Sequence, residues 1–188
     1  MRYYPLFADI KGKVCCVVGG GEVAERKVRA LLKCFARVTV ISPKLTSGLD
    51  KLRRNKKILF RDSGYSEKLL AGAFLVVAAT DDRLINSRVS SYCRKKGVLV
   101  NVVDVPEESN FIAPSFIEKN GLVIAISTSG QAPCLAKKIR QDLTENFLPR
   151  YGKLLKGVFA AREKLKSSCL SLSGRKKALS KLLSKKFI

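Results

Sequence analysis

The 188-residue sequence predicts an α/β protein: a parallel sheet with helices, then a small α+β subdomain, then a basic helical C-terminal region. Three observations predict it. The first is VCCVVGGGEVAER at residues 14–26, where an apolar run stops at three glycines and a helix-spaced pattern begins. The second is a pair of continuous apolar runs, FLVVAA (74–79) and VLVNVV (98–103), separated by a helix-patterned segment. Such runs read as parallel strands buried on both faces. The third is a change beyond residue 110, where two apolar runs meet at Asn120-Gly121, a hairpin signal.

The glycine stretch fixes the kind of parallel sheet. Gly19, Gly21 and Ala24 fit G-x-G-x-x-G/A between a strand and a helix, the arrangement of a Rossmann-like dinucleotide site. Gly19 permits the tight turn, Gly21 lets a pyrophosphate approach the backbone, and Ala24 lets helix and strand pack closely. The helix N-terminus offers free N–H groups and partial positive charge to phosphates.

Taken in order, residues 1–13 read as an extended arm with a turn at Lys11-Gly12. Val14–Val18 is the first strand and residues 22–34 the first helix, patterned by Val23, Ala24, Lys27, Val28, Leu31 and Leu32. Arg37–Ile41 is short and β-branched, a second strand, ending in Ser42-Pro43-Lys44. An NAD site often places a carboxylate there for the ribose 2′-OH. A serine can bond that hydroxyl and a lysine can meet a 2′-phosphate, so these residues leave NAD and NADP both open.

Residues 46–55 predict a short helix, 57–60 a third strand and 66–70 a helical turn. The fourth strand, 74–79, runs into Thr80-Asp81-Asp82. Ligands of such sheets sit beyond the carboxyl ends of the strands, so these three face the cofactor cleft. Asp82 also suits the N-cap of the next helix, 84–95, and the two roles are compatible. The fifth strand, 98–103, is closed by Asp104 at the same edge. On position alone Asp104 is either a general base or a turn residue before Val105-Pro106.

Residues 111–117 and 122–127 predict two strands. The polar loop Thr128-Ser129-Gly130-Gln131-Ala132 precedes Pro133, which fits the first turn of a helix over 134–147. Loop and helix start make a second anion-ready corner. From Pro149 the chain is helical and basic, with Leu154, Leu155, Val158, Phe159 and Leu165 on one face and Leu179, Leu182 and Leu183 on another, around a linker at 167–174. The domains read as 1–109, 110–148 and 149–188.

Composition narrows the chemistry. The net charge is +22, half of it from Arg150 onward, where twelve Lys/Arg stand against the single acid Glu163. Such basicity implies an anionic partner, whether nucleic acid, an acidic surface, or a phosphate or polycarboxylate ligand, or else a solvated surface. No apolar run approaches the roughly 20 residues of a membrane span, and the N-terminus lacks a signal-peptide core. There is no histidine, and none of the six cysteines forms C-x-x-C, so no metal site is expected. Cys15, Cys16 and Cys34 read as small buried apolar residues. Reduced thiols and a glycine-rich phosphate site suit the cytosol. Acid–base chemistry falls to carboxylates, lysine, tyrosine or cysteine.

VVGGGEVAERKVRALL, VVAATDD, NVVD, SNFIAPSFI and ISTSGQAPCLAKKIR, in this order and spacing, resemble the precorrin-2 dehydrogenase family, which is also the N-terminal module of siroheme synthases. The resemblance covers residues 3–150. It implies that a tetrapyrrole polycarboxylate, precorrin-2, is dehydrogenated with NAD as cofactor to sirohydrochlorin, in a cytoplasmic homodimer whose subdomain 110–148 forms much of the interface and cleft. By the same resemblance Asp104 matches the catalytic aspartate. Glu22, Val23, Pro43 and Lys44 match cofactor-contacting positions, Thr80, Asp81 and Asp82 the motif beside the cofactor. Asn101 of NVVD and Thr128, Ser129 and Gly130 of the loop fall on the substrate side, with Thr128 where some relatives carry serine. Lys137, Lys138 and Arg140 are either clamps for substrate carboxylates or surface charges. The chain ends at Ile188, without the fused methyltransferase of full siroheme synthase, so it is expected to consume precorrin-2 and not to make it.

Two other readings stand beside this one. Some members of the family also insert Fe²⁺ into sirohydrochlorin, and nothing in the residues separates one activity from two. A dinucleotide-sensing regulator that binds nucleic acid through the basic tail is a reading of another class. It is disfavoured because only Phe159 and Phe187 offer stacking rings beyond residue 152.

Overall fold

The computed structural model describes residues 2–184, with side chains at 150, 152–156 and 182–184 outside the description. The chain divides into two compact units, Met1–Ala113 and Pro114–Ile188.

In the first unit five parallel strands form a sheet of order β3-β2-β1-β4-β5: β1 Val14–Val18, β2 Arg37–Ile41, β3 Leu59–Arg61, β4 Leu75–Ala78 and β5 Leu99–Val102. Strands 1 and 4 are neighbours although strands 2 and 3 lie between them in sequence, so the order reverses between them. Three α-helices connect the strands: α1 Glu22–Lys33, α2 Ser47–Arg54 and α3 Arg83–Lys95. A 3-10 turn, Glu67–Leu70, precedes β4.

The sheet is buried on both faces. Val17, Val38, Val40 and Val77 pack with Ala24, Val28 and Leu31 of α1. Val18, Ile41, Val76, Val100 and Val102 pack on the other face with Val89 and Cys93 of α3. This is why β1 and β4 read as unbroken apolar runs. Burial pushes the thiols of Cys15 and Cys16 up to about 11 and that of Cys93 up to about 12, which keeps them protonated and inert. Cys34 departs from expectation. It follows the last turn of α1 and is exposed, because the buried face of that helix ends at Leu31.

The second unit holds an antiparallel hairpin, β6 Ser115–Lys119 and β7 Leu122–Ile126. Lys119 pairs with Leu122 across Asn120 and Gly121, whose φ values of 52° and 82° make the two-residue turn that Asn-Gly favours. The apolar run at 111–117 is not one strand. Phe111 packs on the first unit's core and its carbonyl accepts from Asn101, whereas Pro114, which has no N–H for a ladder, opens the second unit.

Helices α4 Pro133–Asp142, α5 Leu148–Lys166 and α6 Leu172–Ser184 complete the second unit. No break separates α4 from α5: a π-helical turn, Leu143–Phe147, joins them, and Leu148 stays in the αR region. Pro149 removes the bond its amide would have made to the preceding turn, and the wider turn absorbs that loss. Phe147 stacks on Tyr151 at 3.9 Å between centroids. The expected apolar positions Leu154, Leu155, Leu182 and Leu183 lie outside the described side chains. No helix among the described residues is long and apolar enough to cross a membrane.

Candidate functional site

The site is built where the strand order reverses, beyond the carboxyl ends of β1 and β4. Two backbone bonds pin the turn after β1. Gly19 N–H donates to Ile41 O at 2.9 Å, and Ala79 N–H donates to Val18 O at 2.8 Å. Gly19 has φ +122°, and a Cβ there would collide with the carbonyl of Ala79. Gly20 is equally constrained, since a Cβ there would strike the carbonyl of Lys44. The spacing rule passes over Gly20, because it falls at a free position of the motif.

Gly21 behaves differently. It is the N-cap of α1, and a Cβ added to it would meet nothing within 4 Å. No side chain caps α1. The other α-helices of the unit are capped: Thr46 Oγ1 accepts from Leu49 N–H on α2, and Asp82 accepts from Leu84 and Ile85 N–H on α3. Among the α-helices of this unit, α1 alone therefore leaves its first amides without a side-chain partner, with open space in front of Gly21, as an anion site requires. Exposed Glu22 and half-buried Val23 form its first turn, and Ala24 is fully buried. These residues fit a dinucleotide pyrophosphate.

The loop after β2 is internally tied. Ser42 is buried, and its hydroxyl donates to Lys44 O at 2.7 Å and accepts from Lys44 N–H at 3.3 Å. Its oxygen is thus engaged in shaping the loop that Gly20 touches. Pro43 and Lys44 are exposed. Thr46 N–H donates to Gly20 O at 3.0 Å, and Thr46 Oγ1 donates to Glu25 at 2.5 Å. That bond, and then the one from Arg29, hold the Glu25 carboxyl below its ordinary value.

At the end of β4, Asn86 of α3 locks the loop. Its Oδ1 accepts from Thr80 N–H at 3.2 Å and from Thr80 Oγ1 at 2.8 Å, and its Nδ2 donates to Thr80 O at 2.9 Å. Asp81 and Asp82 are exposed beside it, and Asp82 does cap α3. Asn86 was legible only as a polar residue among the inward positions of a helix.

At the end of β5, Asp104 is exposed and adopts φ +61°, an uncommon conformation for a residue with a Cβ. Asn101 is 8% exposed and pairs with Val77, whose side chain packs on the α1 face. Its Nδ2 donates to Phe111 O at 3.3 Å, and its Oδ1 accepts from Lys27 Nζ at 3.3 Å. Half-buried Lys27 has its pKa lowered by burial and by neighbouring Arg26, and raised in opposition by Asp104. The sequence signal for Lys27 was a charge among the core-facing positions of α1.

Thr128, Ser129 and Gly130 belong to the second unit. Thr128 Oγ1 accepts from Ala132 N–H at 3.0 Å, and Ser129 N–H donates to Ser127 Oγ at 3.0 Å. Ser129 and Gly130 have φ of 56° and 85°, so the loop before α4 is a defined turn. Lys138 pairs with Asp142 at 3.2 Å, whereas Lys137 is exposed and Arg140 half-buried. Among the described residues no group of three or more Cys, Asp or Glu stands together as a metal site.

Two family profiles match the chain. One, described as "Putative NAD(P)-binding", matches residues 6–115. The other, "Sirohaem biosynthesis protein central", matches 119–146. Siroheme synthase of Nitrosococcus oceani is 42% identical over 86% of this chain and 34% of its own length. That of Sodalis glossinidius is 38% identical over 100% of this chain and 40% of its own. The chain thus spans little more than a third of the curated relatives it matches. A solved structure titled "SirC, precorrin-2 dehydrogenase" superposes with a TM-score of 0.84 at 26% identity, over 96% of this chain and 89% of that one. With the first profile covering more than half of its residues, this chain belongs to the NAD(P)-binding family so defined and is a homologue of the siroheme synthases.

Proposed function

We propose that the chain is a precorrin-2 dehydrogenase of siroheme biosynthesis, converting precorrin-2 and NAD⁺ to sirohydrochlorin, NADH and a proton. The observation that carries this reading is its near-complete superposition on SirC, which bears that title. The geometry agrees with it: one uncapped helix N-terminus and one strained carboxylate stand at the same edge of the sheet.

NAD, when bound, supplies the nicotinamide that accepts the hydride. Gly19, Gly20 and Gly21 with the amides of Glu22 and Val23 hold the pyrophosphate. Ser42, Pro43 and Lys44 frame the adenosine ribose, and Thr80, Asp81 and Asp82 the opposite side of the cleft. Asp104 takes the proton released as the macrocycle loses its hydride, and returns it to water. Its exposure leaves it open to the substrate, and its fixed backbone aims it. Asn101 acts on the substrate side through Lys27, while Thr128, Ser129 and Gly130 form a substrate loop. Lys137, Lys138 and Arg140 pair with substrate carboxylates.

The same reading makes the protein a cytoplasmic homodimer, with 1–109 as the NAD domain, 110–148 as the dimerisation and substrate subdomain and 149–188 as a basic helical region. Phe116 and Val123 are 37% and 42% exposed on the outward face of the hairpin, which suits a covering partner.

The test is an anaerobic assay with enzymatically made precorrin-2 and NAD⁺, read as NADH and sirohydrochlorin absorbance. The parent turns over, and Asp104→Asn lowers kcat by about 10²–10⁴-fold with folding intact. A well-folded parent inactive with NAD⁺ and with NADP⁺ overturns the reading. Adding Fe²⁺ to the product asks separately whether the chain also inserts iron.

A further inference from the structure

We infer that the cleft between the 3-10 turn before β4 and the outer face of α3 is a second ligand site, which takes a small phosphate monoester with a hydroxyl-bearing organic part. The inference goes beyond the dehydrogenase reading and uses none of its residues.

The cleft measures about 290 Å³ and is lined by Glu67, Arg88, Ser91, Tyr92, Lys95 and Lys96. Ligand-sized cavities begin near about 300 Å³, so it suits a small molecule. Residues 88, 91, 92 and 95 recur at helical spacing, so α3 presents them on one face while Val89 and Cys93 enter the core. Tyr65, two residues before Glu67, packs on the same core as Tyr92, which ties the turn to the helix. The last turn of α3 leads into β5 and the 3-10 turn leads into β4, and the first residues of those strands pair, Leu75 with Leu99. The cleft therefore lies toward the amino edge of the sheet, away from the glycine turn and Asp104 at the carboxyl edge.

The charges on this face lack partners. The sequence of α3, RLINSRVSSYCRK, holds no acid at all. Arg94 is engaged by the carbonyls of Glu107 and Ser109. Among the described residues, no ion pair involves Arg88, Lys95, Lys96 or Glu67. A surface built only for solvation intersperses the two signs. Lys95 and Lys96 suit the negative end of the helix dipole, but Arg88 stands two turns earlier, beyond its reach. Three cations against one carboxylate leave two positive charges in the cleft, which match the roughly −1.5 to −2 of a phosphate monoester at pH 7. The Arg88 fork fits two phosphate oxygens, the lysines add point charge, and the Ser91 and Tyr92 hydroxyls are further donors. Glu67 only accepts, so it repels phosphate and requires a hydroxyl on the rest of the ligand.

The test titrates the full chain with glycerol 3-phosphate, inorganic phosphate and glycerol, followed by amide chemical shifts. Glycerol 3-phosphate is expected to saturate and to move the amides of residues 67–70 and 88–96. Inorganic phosphate binds there more weakly, and glycerol does not bind. Arg88→Gln weakens glycerol 3-phosphate by about tenfold. Glu67→Ala acts in two directions: inorganic phosphate binds more tightly once the repulsion is gone, and the advantage of the ester over it shrinks. Both variants change exposed side chains outside the core, so the fold stands. Shifts confined to Gly19–Val23 or to the second unit overturn the inference, since the anion then sits at the glycine turn or on the basic helices. A response that never saturates, or equal affinity in Arg88→Gln and the parent, overturns it as well. An ester that binds no better than inorganic phosphate overturns the assignment of ligand class. None of these outcomes depends on turnover, so a failed dehydrogenase assay leaves this test intact.

Discussion

Every residue of β4 is buried and four of the five in β1, whereas β6 and β7 alternate half-buried with exposed positions and bury only Ile117. Among the described residues, the buried apolar side chains of the second unit are Ile117, Ala136 and Leu148; the rest lie in the first. The first sheet is closed by its own helices. The second leaves Phe116, Val123, Leu135, Ile139 and Phe159 open to solvent. A two-stranded sheet is marginal by itself, and this one is backed by α4 of its own unit. The lesson is one of division of labour. The first unit holds fixed backbone at its glycine turn, and the second leaves more of its apolar surface exposed.

The sharpest way to break this contrast is to crowd the rigid unit where it has no slack. Gly20→Val drives a side chain into the Lys44 backbone and is expected to destabilise the first unit by about 3 kcal/mol. NAD binding should fall with it. Urea unfolding and cofactor titration measure both, and unchanged values would remove Gly20 from the site.

A smaller effect is expected in the open unit. Phe116→Glu with Val123→Glu should weaken a dimer at least tenfold, about 1.4 kcal/mol, in sedimentation velocity. First-unit stability should move by less than about 0.5 kcal/mol. A parent that is monomeric at micromolar concentration would sink the dimer.

The smallest effect separates capping from cofactor binding. Asp82→Ala removes the two bonds to Leu84 and Ile85 N–H and should cost about 1 kcal/mol of stability. An equally stable variant with weakened NAD binding would make Asp82 a cofactor contact first and a cap second.

Much of the first unit could be read directly. Val14–Val18 was expected with the bounds it has because a buried parallel strand is apolar along its length, and Arg37–Ile41 because its short run is β-branched and stops at Ser42-Pro43. Phe111 to Ile117 misled for the same reason: apolar residues serving two different cores look like one strand in sequence. Pro149 misled as well, since a proline signals a helix start without revealing that a π turn can carry the preceding helix through it. Gly19, Gly21, Asp82 and Asp104 were legible from motif and strand-end position. Gly20, Asn86 and Lys27 were not, although Lys27 stood on the apolar stripe as a charge out of place.

The order of elements, the glycine turn and the carboxylate that closes the fifth strand were readable from residue pattern alone. These depend on local spacing, which periodicity and turn chemistry make visible. Packing between distant elements set which glycine faces open space and which faces a carbonyl, which α-helix start remains uncapped, and that Ser42 is committed to Lys44. It alone joined Lys27 to Asn101, 74 residues apart, because that pairing depends on which face of the sheet α1 covers.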